Sequence, residues 1–177
     1  MLIPHKGMKY LLFQKAAGLL RPCDVLLDVG CGLRPQTMVK SKRHVCLEPH
    51  GEYADALVAQ GYEVIREKAP EGLIKADIIM ALDVIEHMEK EDGLKFIDRC
   101  MELGKQVVIF TPLGFMPQEE TGPVDGWGLQ GQEWQRHRSG WLPEEFPGWT
   151  HFIDTDFHKG QGAFFAIYDF TDSPVLG

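Results

Sequence analysis

The stretch Leu26 to Gly32, LLDVGCG, constrains the fold more than any other part of the chain. An apolar run that ends in an acid and then two glycines one residue apart describes a buried strand entering a tight turn, with backbone open to close approach by a ligand. A strand buried on both faces belongs to a parallel sheet, and parallel strands need crossovers that cover those faces.

The remaining chain repeats the alternation. Met8 to Leu20 carries apolar residues at helical spacing ahead of Pro22, which predicts a helix within residues 1–22. Cys23 to Val29 is the first strand, and Pro35 at a first helical position predicts a short helix toward Lys40. His44 to Leu47 follows as a strand, Glu52 to Gln60 as a helix closed by Gly61, and Tyr62 to Ile65 as a short strand. Ala76 to Leu82 is a continuous apolar run suited to a fully buried strand. A helix from Lys90 to Leu103, capped by Gly104, leads to a strand from Gln106 to Phe110. Thr150 to Ile153 and Ala163 to Phe170 read as a hairpin on a sheet edge, and Thr171 to Gly177 as a loose end. The fold class is therefore α/β, with one domain spanning residues 1–177.

Residues 112–149 break the pattern with Gly, Pro, Gln and all the tryptophans (127, 134, 141 and 149), apart from a short helical turn at Pro143 to Phe146. A segment this long without a period is predicted to be a lid or binding segment, its tryptophans forming a hydrophobic cover or an aromatic pocket.

With 18 basic against 26 acidic residues, the net charge of -8 disfavours nucleic acid and anionic membranes as partners. The cysteines at 23, 31, 46 and 100 have neither CxxC spacing nor histidines at zinc-finger intervals, so reduced thiols of a cytoplasmic protein, with no disulfide and no metal, are expected. The apolar stretch Leu11 to Leu20 is too short to span a bilayer.

In an open α/β sheet the ligand crevice lies outside the carboxyl ends of the strands, where Asp28, Gly30, Gly32, Glu48 and Asp83 all fall. Glu48 closes the second strand, where a carboxylate can accept both hydroxyls of a ribose, in NAD as in other nucleosides. Pro35 stands where a nicotinamide fingerprint has its third glycine, and Asp28 disfavours a diphosphate while favouring a cationic amino group or sulfonium.

Taken in order, LLDVGCG, CLEP, ADIIMALDVIEHM and VVIFTPLG resemble a class I S-adenosylmethionine-dependent methyltransferase, of the small type 11-like kind, over the first two thirds of the chain. The resemblance implies a Rossmann-like three-layer αβα sandwich with a mostly parallel seven-stranded sheet and an antiparallel last strand. It implies S-adenosylmethionine as cofactor, held by Asp28, Gly30, Cys31 and Gly32 beside its methionine part and by Glu48 and Pro49 at its ribose. Asp83 and Val84 would lie along the cofactor, and Glu67 stands nearest the adenine position, although Ile65 to Ala69 lacks the usual glycine and acid there. Candidate bases for a hydroxyl acceptor are His137 and His87. Trp134, Arg138 and Trp141 are candidate substrate contacts within WQRHRSGW, and the following GWLPEEF resembles an acceptor-side segment.

The expected function is methyl transfer to oxygen or nitrogen of a small molecule. Alternatives are a catalytically silent binding module or partner subunit, a protein or RNA acceptor guided by Arg136 and Arg138, and a nicotinamide enzyme.

Overall fold

The computed structural model describes residues 5–118 and 121–170; the loose end from Thr171 lies outside them. Seven strands form one sheet: β1 (Cys23–Val29), β2 (Ser41–Leu47), β3 (Glu63–Ile65), β4 (Ala76–Leu82), β5 (Gly104–Pro112), β6 (Thr150–Asp154) and β7 (Ala163–Asp169). Their order is β3-β2-β1-β4-β5-β7-β6, and β7 runs antiparallel to both its neighbours. The doubly buried sheet, its parallel body and its terminal hairpin match the expected Rossmann-like architecture.

Register brings the functional ends together. Asp28 lies opposite Cys46 of β2 and Met80 of β4, so the carboxyl ends of β1, β2 and β4 share one edge. Side chains alternate between two apolar layers. Leu27, Val45, Ile79 and Val107 pack against helix α3 (Lys90–Leu103) through Phe96, Ile97 and Cys100. Leu26, Ile78, Met80 and Val108 face Leu12 and Ala16 of helix α1 (His5–Ala17) and Phe157 beyond β6. Helix α2 (Gly51–Ala59) buries Tyr53, Ala54 and Leu57 and ends before Gly61, whose φ of +91° fits the expected cap.

Two expectations need correction. Helix α1 stops at Ala17, and Leu19 and Leu20 continue as a turn bonded to Ala16 and Ala17. No helix follows Pro35. A strand of this length rises roughly 20–23 Å, and residues Gly30 to Lys40 coiled as a helix would travel back only about 16 Å. The crossover must run extended, and side chains hold it: the Gln36 amide donates to Asp28 Oδ2 at 2.8 Å and the Met38 amide to Gln36 Oε1 at 2.6 Å. The link from β3 to β4 is likewise free of α-helix.

The core also fixes one helix position. A Cβ at Gly93 would stand 2.5 Å from Cζ2 of Trp141. Alanine gains about 1 kcal/mol over glycine in an open helix, whereas overpacking costs about 1–3 kcal/mol. Gly93→Ala is expected to destabilise the protein by about 1 kcal/mol, read as a lower urea midpoint at unchanged m-value.

Candidate functional site

The turn after β1 is left-handed at both glycines, with φ of +59° at Gly30 and +55° at Gly32, which side chains rarely tolerate. Gly30 donates its amide to Leu47 O at 2.8 Å, tying the turn to β2. Val84 packs on Gly30, where an added Cβ would come within 3.0 Å of Val84 Cγ2. Glu48, 4% exposed, accepts the Gly32 amide on Oε2 at 3.1 Å and the His50 amide on Oε1 at 3.0 Å, with Pro49 between. Burial raises its carboxyl above the usual range against the pull of those two amides. Each oxygen keeps a lone pair, so a vicinal diol can be accepted by a carboxylate already oriented.

Behind the turn, Asp28 Oδ2 accepts both the Gln36 amide and His44 Nε2, the latter at 3.0 Å. Burial pulls the His44 imidazole down, but hydrogen bonds to Asp28 and Cys46 outweigh it and bring it to about 9. The Cys46 thiol is drawn down to about 7 by the neighbouring Cys31 thiol and by His44, against its burial. Asp28 therefore braces the turn from beneath, and Cys31 faces Cys46.

A second group gathers beyond β4. Asp83 takes a left-handed φ of +55° and donates its amide to Phe110 O at 2.9 Å, opening the 3₁₀ turn Ile85–His87. Asp83 is open to solvent on one side, but crowding on the others raises its carboxyl to about 6, partly offset by a hydrogen-bonding approach to Glu86. Glu86 is buried, and burial with the Asp83 charge pushes its carboxyl well up. Its Oε2 accepts the Thr111 hydroxyl at 3.0 Å. The His87 and His137 rings stand edge to face, 4.7 Å apart. Burial lowers His87 to about 4, helped by the charge of His137, and burial lowers His137 too, so both are neutral at pH 7.

His137 arrives from the irregular segment because that segment is zipped onto the 3₁₀ turn. The Arg138 and Ser139 amides donate to Glu86 O at 2.7 and 3.1 Å, while Ser139 Oγ and Trp141 Nε1 donate to Ile85 O at 3.0 and 3.2 Å. Trp141 is fully buried, with Lys90 Nζ 3.6 Å from its ring centroid. This corrects its expected role: the indole supports the site from the core and does not line it. The Arg138 guanidinium, expected to meet substrate, is paired with Glu133 and, at 3.8 Å, with Glu89.

The tryptophans divide by burial. Trp141 and Trp149 are core residues, whereas Trp127 and Trp134 lie over the glycine-turn edge. A Cβ on Gly32 would come within 2.2 Å of the Trp127 ring. Trp127 stacks edge-on against Tyr53 at 5.0 Å, and Trp134 lies 6.3 Å from His50 with Lys68 Nζ 5.3 Å from its ring. Trp134 thus sits beside the loop that carries the exposed Glu67.

Asp125 organises this cover, a role that its sequence position did not announce. Its Oδ1 accepts the Trp127 and Leu129 amides, each at 2.9 Å, and its Oδ2 the Gly131 amide at 3.1 Å and the Tyr53 hydroxyl. Burial would raise this carboxyl, but those hydrogen bonds, led by Tyr53, lower it. Gln130 completes the fastening, its amide donating to Glu52 Oε2 at 2.8 Å and its carbonyl lying 3.0 Å from His50 Nε2. The recess lined by Arg21, Asp24, Asp77 and Lys105 opens at the amino ends of the strands, far from these groups, and Lys105 Nζ there pairs with Asp77 at 2.6 Å.

No family profile and no curated protein matches the chain in sequence. Solved structures do match its fold, which is that of class I S-adenosylmethionine-dependent methyltransferases. A complex of DhpI with SAM and HEP superposes with a TM-score of 0.57 at 14% identity, over 93% of this chain and 88% of that one. The cyclopropane synthase MmaA2 from Mycobacterium tuberculosis gives 0.51 at 17% identity, over 61% of this chain and 44% of the synthase. The small RNA methyltransferase HEN1 gives 0.54 at 16% identity, over 99% of this chain and 26% of that one. The chain thus spans less than half the length of the last two proteins.

The His44 contact sets a pH dependence. Its folded value of about 9 lies above the unfolded value of about 6.5, so its stabilising contribution is complete below pH 6.5 and is lost as pH rises through 9. Unfolding free energy is expected to fall by on the order of 1 kcal/mol from pH 6 to pH 9.5, allowing for solvent screening. In His44→Asn that part of the slope disappears in denaturation curves at the two pH values.

Proposed function

We propose that the chain transfers a methyl group from S-adenosylmethionine to an oxygen or nitrogen of a small molecule. The observation that carries this reading is the pairing of a left-handed glycine turn with Glu48, a buried carboxylate held by the Gly32 and His50 amides and still able to accept two hydroxyls. Glu48 would hold the ribose, Gly30 to Gly32 the methionine part with Asp28 behind them, and Asp83 and Val84 the flank, while Glu67 stands on the adenine side. When bound, the cofactor supplies an electrophilic methyl group on a positively charged sulfur.

The protein's share is alignment and exclusion of water. Trp127 and Trp134 cover the cofactor edge, and the Trp127 ring must shift for a ligand to reach Gly32. The acceptor end is assigned to the neutral His87 and His137. Either imidazole can take the proton of a hydroxyl acceptor as its oxygen bonds to carbon; an amine acceptor needs less help. A small acceptor is favoured over RNA because Arg138 is engaged with Glu133 and Glu89 and the net charge is -8.

Isothermal titration with S-adenosylhomocysteine checks the donor side. Glu48→Ala is expected to weaken binding by about 1.5–3 kcal/mol, the range for a hydrogen bond to a charged group. Wild-type protein that takes up none of this ligand would refute the reading. Trp127→Ala should accelerate association in stopped-flow fluorescence, since the covering ring is gone.

A further inference from the structure

We propose that Glu86, His87 and His137 form a binding site for a divalent first-row transition ion, with Asp83 at its rim. One carboxylate oxygen of Glu86 and one ring nitrogen of each histidine lie within 4.8 Å of one another. Glu86 is 1% exposed, and its Oε1 meets no donor. The Asp83 carboxyl, a second acid, stands close enough to raise Glu86 further. A buried carboxylate oxygen that meets no donor and has a second acid beside it calls for a proton or a cation, and the adjacent imidazoles favour the cation.

The histidines are held as ligands are held. His137 Nδ1 lies 2.6 Å from Met116 O, and His87 Nδ1 lies 3.2 Å from Arg136 O. A carbonyl only accepts, so His87 Nδ1 donates to Arg136 O, and that ring also bonds the Asp83 backbone. In the same way His137 Nδ1 carries the hydrogen and its Nε2 keeps its lone pair, the tautomer selected when an outer carbonyl orients a metal-binding imidazole. The Thr111 hydroxyl does the same for the other oxygen of Glu86. The amide bonds from Arg138 and Ser139 to Glu86 O place His137 against the 3₁₀ turn independently of any ion.

Tetrahedral ligands on bonds of about 2.1 Å stand roughly 3.4 Å apart, so side-chain rotations that draw the atoms in by about 1 Å complete the shell. Two imidazoles and a carboxylate suit zinc, manganese, iron or cobalt, whereas magnesium and calcium prefer oxygen throughout. Three protein ligands leave a position for water or for an acceptor oxygen; only that last use rests on the methyltransferase reading. With the ion bound, the imidazoles are ligands and not proton acceptors. Among the described residues the other compact set, Asp28, His44 and Cys46, lacks an orphaned atom of this kind, since Asp28 Oδ2 already accepts two hydrogen bonds.

The test uses chelator-treated protein titrated calorimetrically with zinc, manganese and magnesium chlorides, with melting temperature followed in parallel. One transition ion per chain should bind and raise the melting temperature, with magnesium far weaker. His137→Ala and the isosteric Glu86→Gln should each lose about 10-fold or more in affinity, while Cys46→Ser binds as wild type. Melting of the metal-free variants separates lost affinity from lost folding, and cobalt absorption bands present in wild type should vanish in His137→Ala. Absence of binding by every ion, or unchanged binding in His137→Ala, would overturn the proposal. Titration of S-adenosylhomocysteine on the same samples distinguishes failure of the metal site from failure of the donor site.

Discussion

The carboxyl edge of the sheet depends on one buried carboxylate. Glu48 reaches across from the end of β2 to the Gly32 amide and back to the His50 amide, which opens α2. A carboxylate removed from water must find donors, and it finds them in two loops that it thereby holds at a set separation. Gly30 N on Leu47 O sets the same spacing one step earlier. Val84, just beyond β4, packs on Gly30, so the ends of three strands contribute to a single frame.

The irregular segment then uses both halves of that frame. Its first part is folded around Asp125, a carboxylate that gathers three amides and the Tyr53 hydroxyl and so fastens Trp127 above Gly32. Its second part is bonded to the 3₁₀ turn through Glu86 O and Ile85 O and anchored by the buried Trp141. At about 1 kcal/mol for each buried hydrogen bond, such ties are enough to order a segment without regular structure. One stretch of chain therefore links the proposed cofactor edge to the proposed acceptor edge.

Legibility followed the range of the determining forces. β4 and α3 were readable to the residue because a continuous apolar run and a helical period are local. The helix expected after Pro35 failed because the crossover's length, a property of β1 and β2 together, left no room for it. Trp141 was misjudged because an aromatic near a suspected site looks the same in sequence whether it lines a cavity or fills a core. Arg138 likewise carries no mark that Glu133 and Glu89 engage it.

By itself, the sequence determined the α/β class, the glycine turn and the carboxylate that closes β2, since strand burial, left-handed backbone and the strand end are all encoded in neighbouring residues. Tertiary structure alone decided which side chains meet: Trp127 over Gly32, Tyr53 on Asp125, and His137 beside Glu86 and His87. These partners are separated by dozens of residues, and their meeting is set by parallel register and by the path of an aperiodic segment, neither of which any local stretch of chain specifies.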